Sequence, residues 1–213
     1  PRSTLFPYTT LFRSLDEALA AARLAARRSP DFGFAWARVA ELEFSFGRTR
    51  AAQEAVQHAR QLTPHHAEAV ALEGFLLAAQ NRVREAGVKF DEAIALDGAL
   101  GNAWLGRGLT RIRRGDLAGG RADLQVAAAV EPQRSVLRSY LGKALADEAR
   151  TALAAHEFEL AERLDPSDPT VWLYRSLLAR GQNRANDAIR DLAHAQSLND
   201  NRAIYRSRLL LDQ

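Results

Sequence analysis

The stretch LDPSDPTVW, residues 164–172, closes one segment of the chain and opens the next. Leu164 ends an apolar run, Pro166 stops a helix, Asp168 can cap the following one, and Pro169 suits its first position, where no intrahelical N–H is needed. The tryptophan that follows is one of three. Trp36, Trp104 and Trp172 are spaced by 68 residues, twice 34.

Cutting the chain every 34 residues from Gly33 gives five blocks without insertions: 33–66, 67–100, 101–134, 135–168 and 169–202. The eighth place of each block is small (Ala40, Gly74, Gly108, Gly142, Ser176), as is the twentieth (Ala52, Ala86, Gly120, Ala154, Ala188). The twenty-fourth is bulky (Val56, Phe90, Leu124, Phe158, Leu192), and the twenty-seventh is always alanine (Ala59, Ala93, Ala127, Ala161, Ala195). Trp104, Gly108, Leu109 and Ile112 fall at helical spacing early in a block. Ala86, Phe90, Ala93 and Leu96 do so late, so each block predicts two helices. Small places let the two backbones approach while a large neighbour fills the space beside them. One such hairpin cannot bury its own apolar face, so neighbouring hairpins must stack.

These residues resemble the tetratricopeptide repeat: the 34-residue period, the early aromatic, the small eighth residue, the Ala, Phe, Ala series of the second helix and the closing Pro64, Pro132 and Pro166. The resemblance covers residues 15–202 and implies an all-α fold, a right-handed α-solenoid of stacked helix-turn-helix repeats. Arg138 departs from the pattern where an aromatic is expected, and Gly120 where an alanine is. A ring at Trp104 buried between helices would lose about 3–5 kcal/mol on truncation to Ala.

Run backward, the register places Ala18, Ala22 and Ala25 in the second helix of a preceding block, so residues 15–32 are expected to be the end of a truncated repeat. Residues 1–14 do not supply its first helix. Pro7 would sit mid-helix at a cost of about 3 kcal/mol, and Phe6 falls where a small residue is required. The segment resembles the direct translation of a sequencing adapter and is expected to be a non-native leader rather than a signal peptide, since it lacks an uninterrupted apolar core. Residues 203–213 begin a further first helix. Unpaired faces at Leu15, Ala18, Leu19, Ala22 and Ala25, and at Ile204, Leu209, Leu210 and Leu211, predict end-to-end self-association or fraying of the terminal helices.

Composition narrows the function classes. The 29 basic and 26 acidic residues give a net charge of +3, and Arg2 and Arg13 belong to the leader, so the repeats themselves present no nucleic-acid surface. No apolar run reaches the roughly 18 residues of a membrane span. There are no cysteines, and the five histidines have no metal-ligand spacing: His65 and His66 lie in a turn after Pro64. With no nucleophile or phosphate-loop motif, neither an enzyme nor a cofactor site is expected. Arg107, Arg111 and Arg114 form a basic stripe able to hold phosphate or carboxylate, although the block charges alternate in sign and favour a structural role for it.

The resemblance places the fifth and ninth residues of each block on a concave groove: Ala37 and Glu41, Ala71 and Phe75, Leu105 and Leu109, Ser139 and Lys143, Leu173 and Leu177. This lining is mostly apolar and lacks the Lys and Asn clamp that some relatives use for a C-terminal carboxylate. It predicts a non-catalytic scaffold that takes a helix or extended peptide with apolar anchors. The alternative is an accessory segment of a larger bacterial enzyme, regulator or envelope-assembly protein, cytoplasmic or periplasmic, whose active domain lies elsewhere.

Overall fold

A computed structural model of the chain describes residues 15–198, and all of its regular structure there is helical. The expected leader, residues 1–14, and the further first helix, including Ile204 and Leu209 to Leu211, lie outside the described residues. The described chain forms two compact units. The first holds α1 (Leu15–Arg28), α2 (Gly33–Ser45), α3 (Thr49–Leu62), α4 (Ala67–Ala79) and α5 (Val83–Leu96). The second holds α6 (Gly101–Arg113), α7 (Leu117–Val130), α8 (Ser135–Asp147), α9 (Thr151–Leu164), α10 (Pro169–Gly181) and α11 (Ala185–Ser197). Each 34-residue block is one antiparallel hairpin, and the fold is of the all-α helical-repeat solenoid class.

Within a hairpin the eighth and twenty-fourth places interlock. A Cβ built on Gly74 would lie 2.8 Å from the Phe90 ring, and one on Gly142 would lie 2.6 Å from Phe158. The third block achieves the same approach differently. Gly120, in place of alanine, brings α7 so near α6 that a Cβ there would meet Ile112 Cγ1 at 2.4 Å and the Gly108 carbonyl oxygen at 2.7 Å. The alanines at the twenty-seventh place are fully buried in the first four blocks and nearly so at Ala195.

The turn inside each hairpin is uniform. The fifteenth place has positive φ in every block: Gly47 (71°), Asn81 (63°), Gly115 (89°), Ala149 (59°) and Asn183 (58°). The next N–H donates back to the carbonyl five residues earlier, as in Arg82 to Leu77 at 2.9 Å and Arg150 to Leu145 at 2.9 Å, which satisfies an orphan helix-end carbonyl. Glycine and asparagine tolerate this left-handed backbone, whereas Ala149 adopts it at a steric cost of about 1–2 kcal/mol.

Between blocks, Asp168 caps α10 by accepting from the Thr170 N–H at 2.9 Å, with Pro169 in the first turn, as the opening stretch predicts. Trp172 Nε1 donates to the Pro166 carbonyl at 3.1 Å, and Trp36 Nε1 does the same to Pro30 at 2.8 Å. Pairing of the early indole with the preceding block's closing residue explains why both recur.

Two packing expectations need correction. The Trp104 ring is half-buried, not enclosed, with the Arg107 guanidinium 4.5 Å from its centroid, so its truncation should cost less than a core aromatic. In α1 the residues Ala18, Leu19 and Ala22, expected on an unpaired face, are instead buried against α2 together with Ala26, while Ala25 is exposed as expected.

Candidate functional site

The expected groove residues separate into two depths. The fifth-place side chains, Ala37, Ala71, Leu105, Ser139 and Leu173, are all buried. Those at the ninth place, Glu41, Phe75, Leu109, Lys143 and Leu177, are half-buried and reach the surface. The first helices of a unit adjoin one another: α2 packs on α4 in the first unit, and α8 packs on both α6 and α10 in the second. A T-shaped contact between Tyr140 and Tyr174, with centroids 5.3 Å apart, fastens α8 to α10.

In the first unit the ninth-place residues are engaged within the fold. Glu41 accepts from Arg38, and Phe75 meets Phe90 edge-on at 4.9 Å and 70°, closing the hairpin core. In the second unit Leu109 and Leu177 flank Lys143, whose Nζ donates to Asp147 Oδ1 at 2.6 Å one helical turn away. Beneath Lys143, one turn earlier on α8, the Ser139 hydroxyl is fully buried and has no hydrogen-bond partner among the described residues.

The basic stripe is largely engaged within its own hairpin. Arg107 donates to both carboxylate oxygens of the buried Asp123, at 2.8 and 2.9 Å, and Arg111 approaches the same carboxylate at 3.0 Å. Arg114 follows at the exposed C-cap of α6. The bidentate arrangement repeats one period of 68 residues later, where Arg175 donates to Asp191 at 2.7 and 2.9 Å and its guanidinium lies 4.1 Å from the Trp172 centroid. Sequence reading missed this latch between the seventh and twenty-third places, although its signal is present: two Arg and Asp pairs with the same separation, in register with two tryptophans. In the fourth block Arg138, standing where the aromatic is expected, meets Glu157 at 3.1 Å.

Ionisation follows from these pairs. The hydrogen bond with Asp191, opposed by burial and aided by Glu162, holds the Arg175 guanidinium protonated above its ordinary range. In the first unit burial pushes Glu92 upward, but hydrogen bonds from Lys89 and Arg60 outweigh it and leave the carboxyl below its usual value. Burial likewise opposes the charge on Lys89, and Glu92 with Glu73 overcomes it, raising that ammonium's pKa. His66, at the N-cap position of α4, has Nε2 3.1 Å from Glu68 and its ring 4.4 Å from Phe34, while no group of three or more His, Asp or Glu among the described residues could hold a metal ion. No helix among them is long and apolar enough to cross a membrane.

No protein-family model matches the sequence, and no curated protein matches it either. Solved structures do share the fold. One chain of the APC/C hetero-tetramer Cut9–Hcn1 is similar over 86% of this chain at 17% identity with a TM-score of 0.77, and this chain spans 35% of it. A thermophilic tetratricopeptide repeat protein of Thermus thermophilus matches 77% of this chain and 90% of its own at 21% identity and TM-score 0.68. YrrB, a tetratricopeptide repeat protein with an unusual peptide-binding site, matches 85% of this chain and 93% of its own at 18% identity and TM-score 0.51. The fold is thus that of tetratricopeptide repeat proteins.

Proposed function

We propose that the chain is a non-catalytic protein-interaction scaffold and that the first helices of the second unit carry its binding surface. The observation that supports this reading is the row at the ninth place: Leu109, Lys143 and Leu177 reach the surface from three adjoining helices while the fifth place beneath them is closed. Half-exposed leucines aligned on rigid helices offer pockets to the apolar side chains of a partner. YrrB's peptide-binding site is a precedent on the same fold. Phe75, packed against Phe90, contributes to stability more than to capture.

Selection from a displayed random-peptide library tests the groove. The wild-type chain should enrich peptides with apolar anchors, and the double variant Leu109→Glu with Leu177→Glu should lose them with its helicity intact. Ile189→Glu, at a position 67% exposed on the second helix α11, should keep them. Equal enrichment by the double variant would move the binding surface away from the first helices.

A further inference from the structure

We propose that the second unit's groove reads an extended segment bearing an acidic residue between two apolar ones, spaced three residues apart. This deepens, and rests on, the groove reading above. The third and fifth blocks carry leucine at both the fifth and ninth places, Leu105 with Leu109 and Leu173 with Leu177. The fourth block, between them, carries Ser139 and Lys143 instead. The row across α6, α8 and α10 is therefore apolar, polar, apolar. Its centre holds the Lys143 ammonium at the surface, paired with Asp147, and, one turn earlier on the same helix face, the buried Ser139 hydroxyl without a partner. Of the two, only the ammonium reaches the surface, and flanked by leucine it calls for an acceptor of opposite charge, which a carboxylate supplies.

Lys143 is available for this exchange. Its bond to Asp147 is an i,i+4 pair on the surface, with the two side chains 33% and 45% exposed, and such pairs hold weakly. A ligand carboxylate delivered between two apolar anchors sits in a drier setting, where the same attraction is stronger. Spacing follows from helix packing. Neighbouring axes lie about 8–10 Å apart and an extended chain advances about 3.3 Å per residue, so one helix-to-helix step takes about three residues. The expected pattern is apolar-x-x-acidic-x-x-apolar. A helical ligand, at about 1.5 Å per residue, would need its anchors, which lie two such steps apart, about twelve residues apart.

Fluorescence anisotropy with labelled peptides tests this, using Leu at the first and seventh core positions and Glu, Gln or Lys at the fourth. A fourth peptide carries the anchors at twelve-residue spacing. For the wild-type chain we expect the Glu peptide to bind about fivefold to tenfold more tightly than the Gln peptide, and the Lys peptide to bind most weakly. Lys143→Glu should reverse that order while Leu109→Glu with Leu177→Glu abolishes all binding. Equal affinities for Glu, Gln and Lys that still require the leucines would overturn the acidic centre and leave the groove reading standing. Preference for the twelve-residue spacing would overturn the extended conformation. Absence of binding by every peptide, or binding indifferent to the leucine substitutions, would overturn the inference and the groove together.

Discussion

Where the first block meets the second, Arg60 of α3 reaches Glu73 of α4 at 3.6 Å, and Glu73 meets Lys89 of α5 at 3.3 Å. Where the fourth meets the fifth, Glu162 of α9 meets Arg175 of α10 at 2.7 Å, and Arg175 holds Asp191 of α11. The three places in the 34-residue register are the same, and every sign is reversed. Hairpin geometry thus sets which places must be complementary and leaves the polarity open. Burial differs as well. The Asp191 side chain is 3% exposed beneath a planar, two-pronged guanidinium, whereas Glu73 and Lys89 are 27% and 26% exposed and share a looser cluster with Glu92.

The two units should lose most, and equally, at their interlocked aromatics. Phe90→Ala and Phe158→Ala each remove a fully buried ring set against a glycine and should cost about 3–5 kcal/mol by denaturant unfolding. A gap above about 1 kcal/mol between them would show that the hairpins are not equivalent. The latches should then separate the units. Arg175→Ala strands the buried Asp191 carboxylate, with only Arg190 left at 3.7 Å, and should cost about 2 kcal/mol. Glu73→Ala in its exposed cluster should cost about 0–1 kcal/mol, and equal losses would remove burial as the cause of the difference.

Ala149→Gly should stabilise the second unit by about 1 kcal/mol by relieving the left-handed alanine, while Asn81→Gly in the first unit should change little. The smallest effect is the first unit's response to acid. Since the folded-state pKa of Glu92 is depressed, its contribution is fully present above the unfolded carboxylate pKa of about 4.3 and is lost as pH falls through the lower, folded value. Hydrogen exchange near α5 should accelerate in that window, and Glu92→Gln should remove the change.

The hairpin register, the glycine-to-phenylalanine interlock and the Asp168 cap were legible because each needs one residue type at one fixed place. Depth was not. Leu105 and Leu109 are equally apolar and four residues apart, yet only the second reaches the surface, because depth is set by the packing of neighbouring helices and not by the residue type. A structural role for Arg107 and Arg111 was legible from the alternating block charges, but their shared acceptor was not, since Asp123 lies on the other helix of the hairpin. The strained turn at Ala149 was hidden by a side chain that gives no sign of positive φ.

The left-handed turn at the fifteenth place also bears on how the chain is made. It joins two helices through a few residues, so each hairpin closes with little loop entropy and depends chiefly on contacts within its own block. Synthesis at about 5–20 residues per second delivers a 34-residue block in roughly 2–7 s, while helices form within about 1 μs. Hairpins can therefore fold one after another as they leave the ribosome, each serving as the template on which the next one docks.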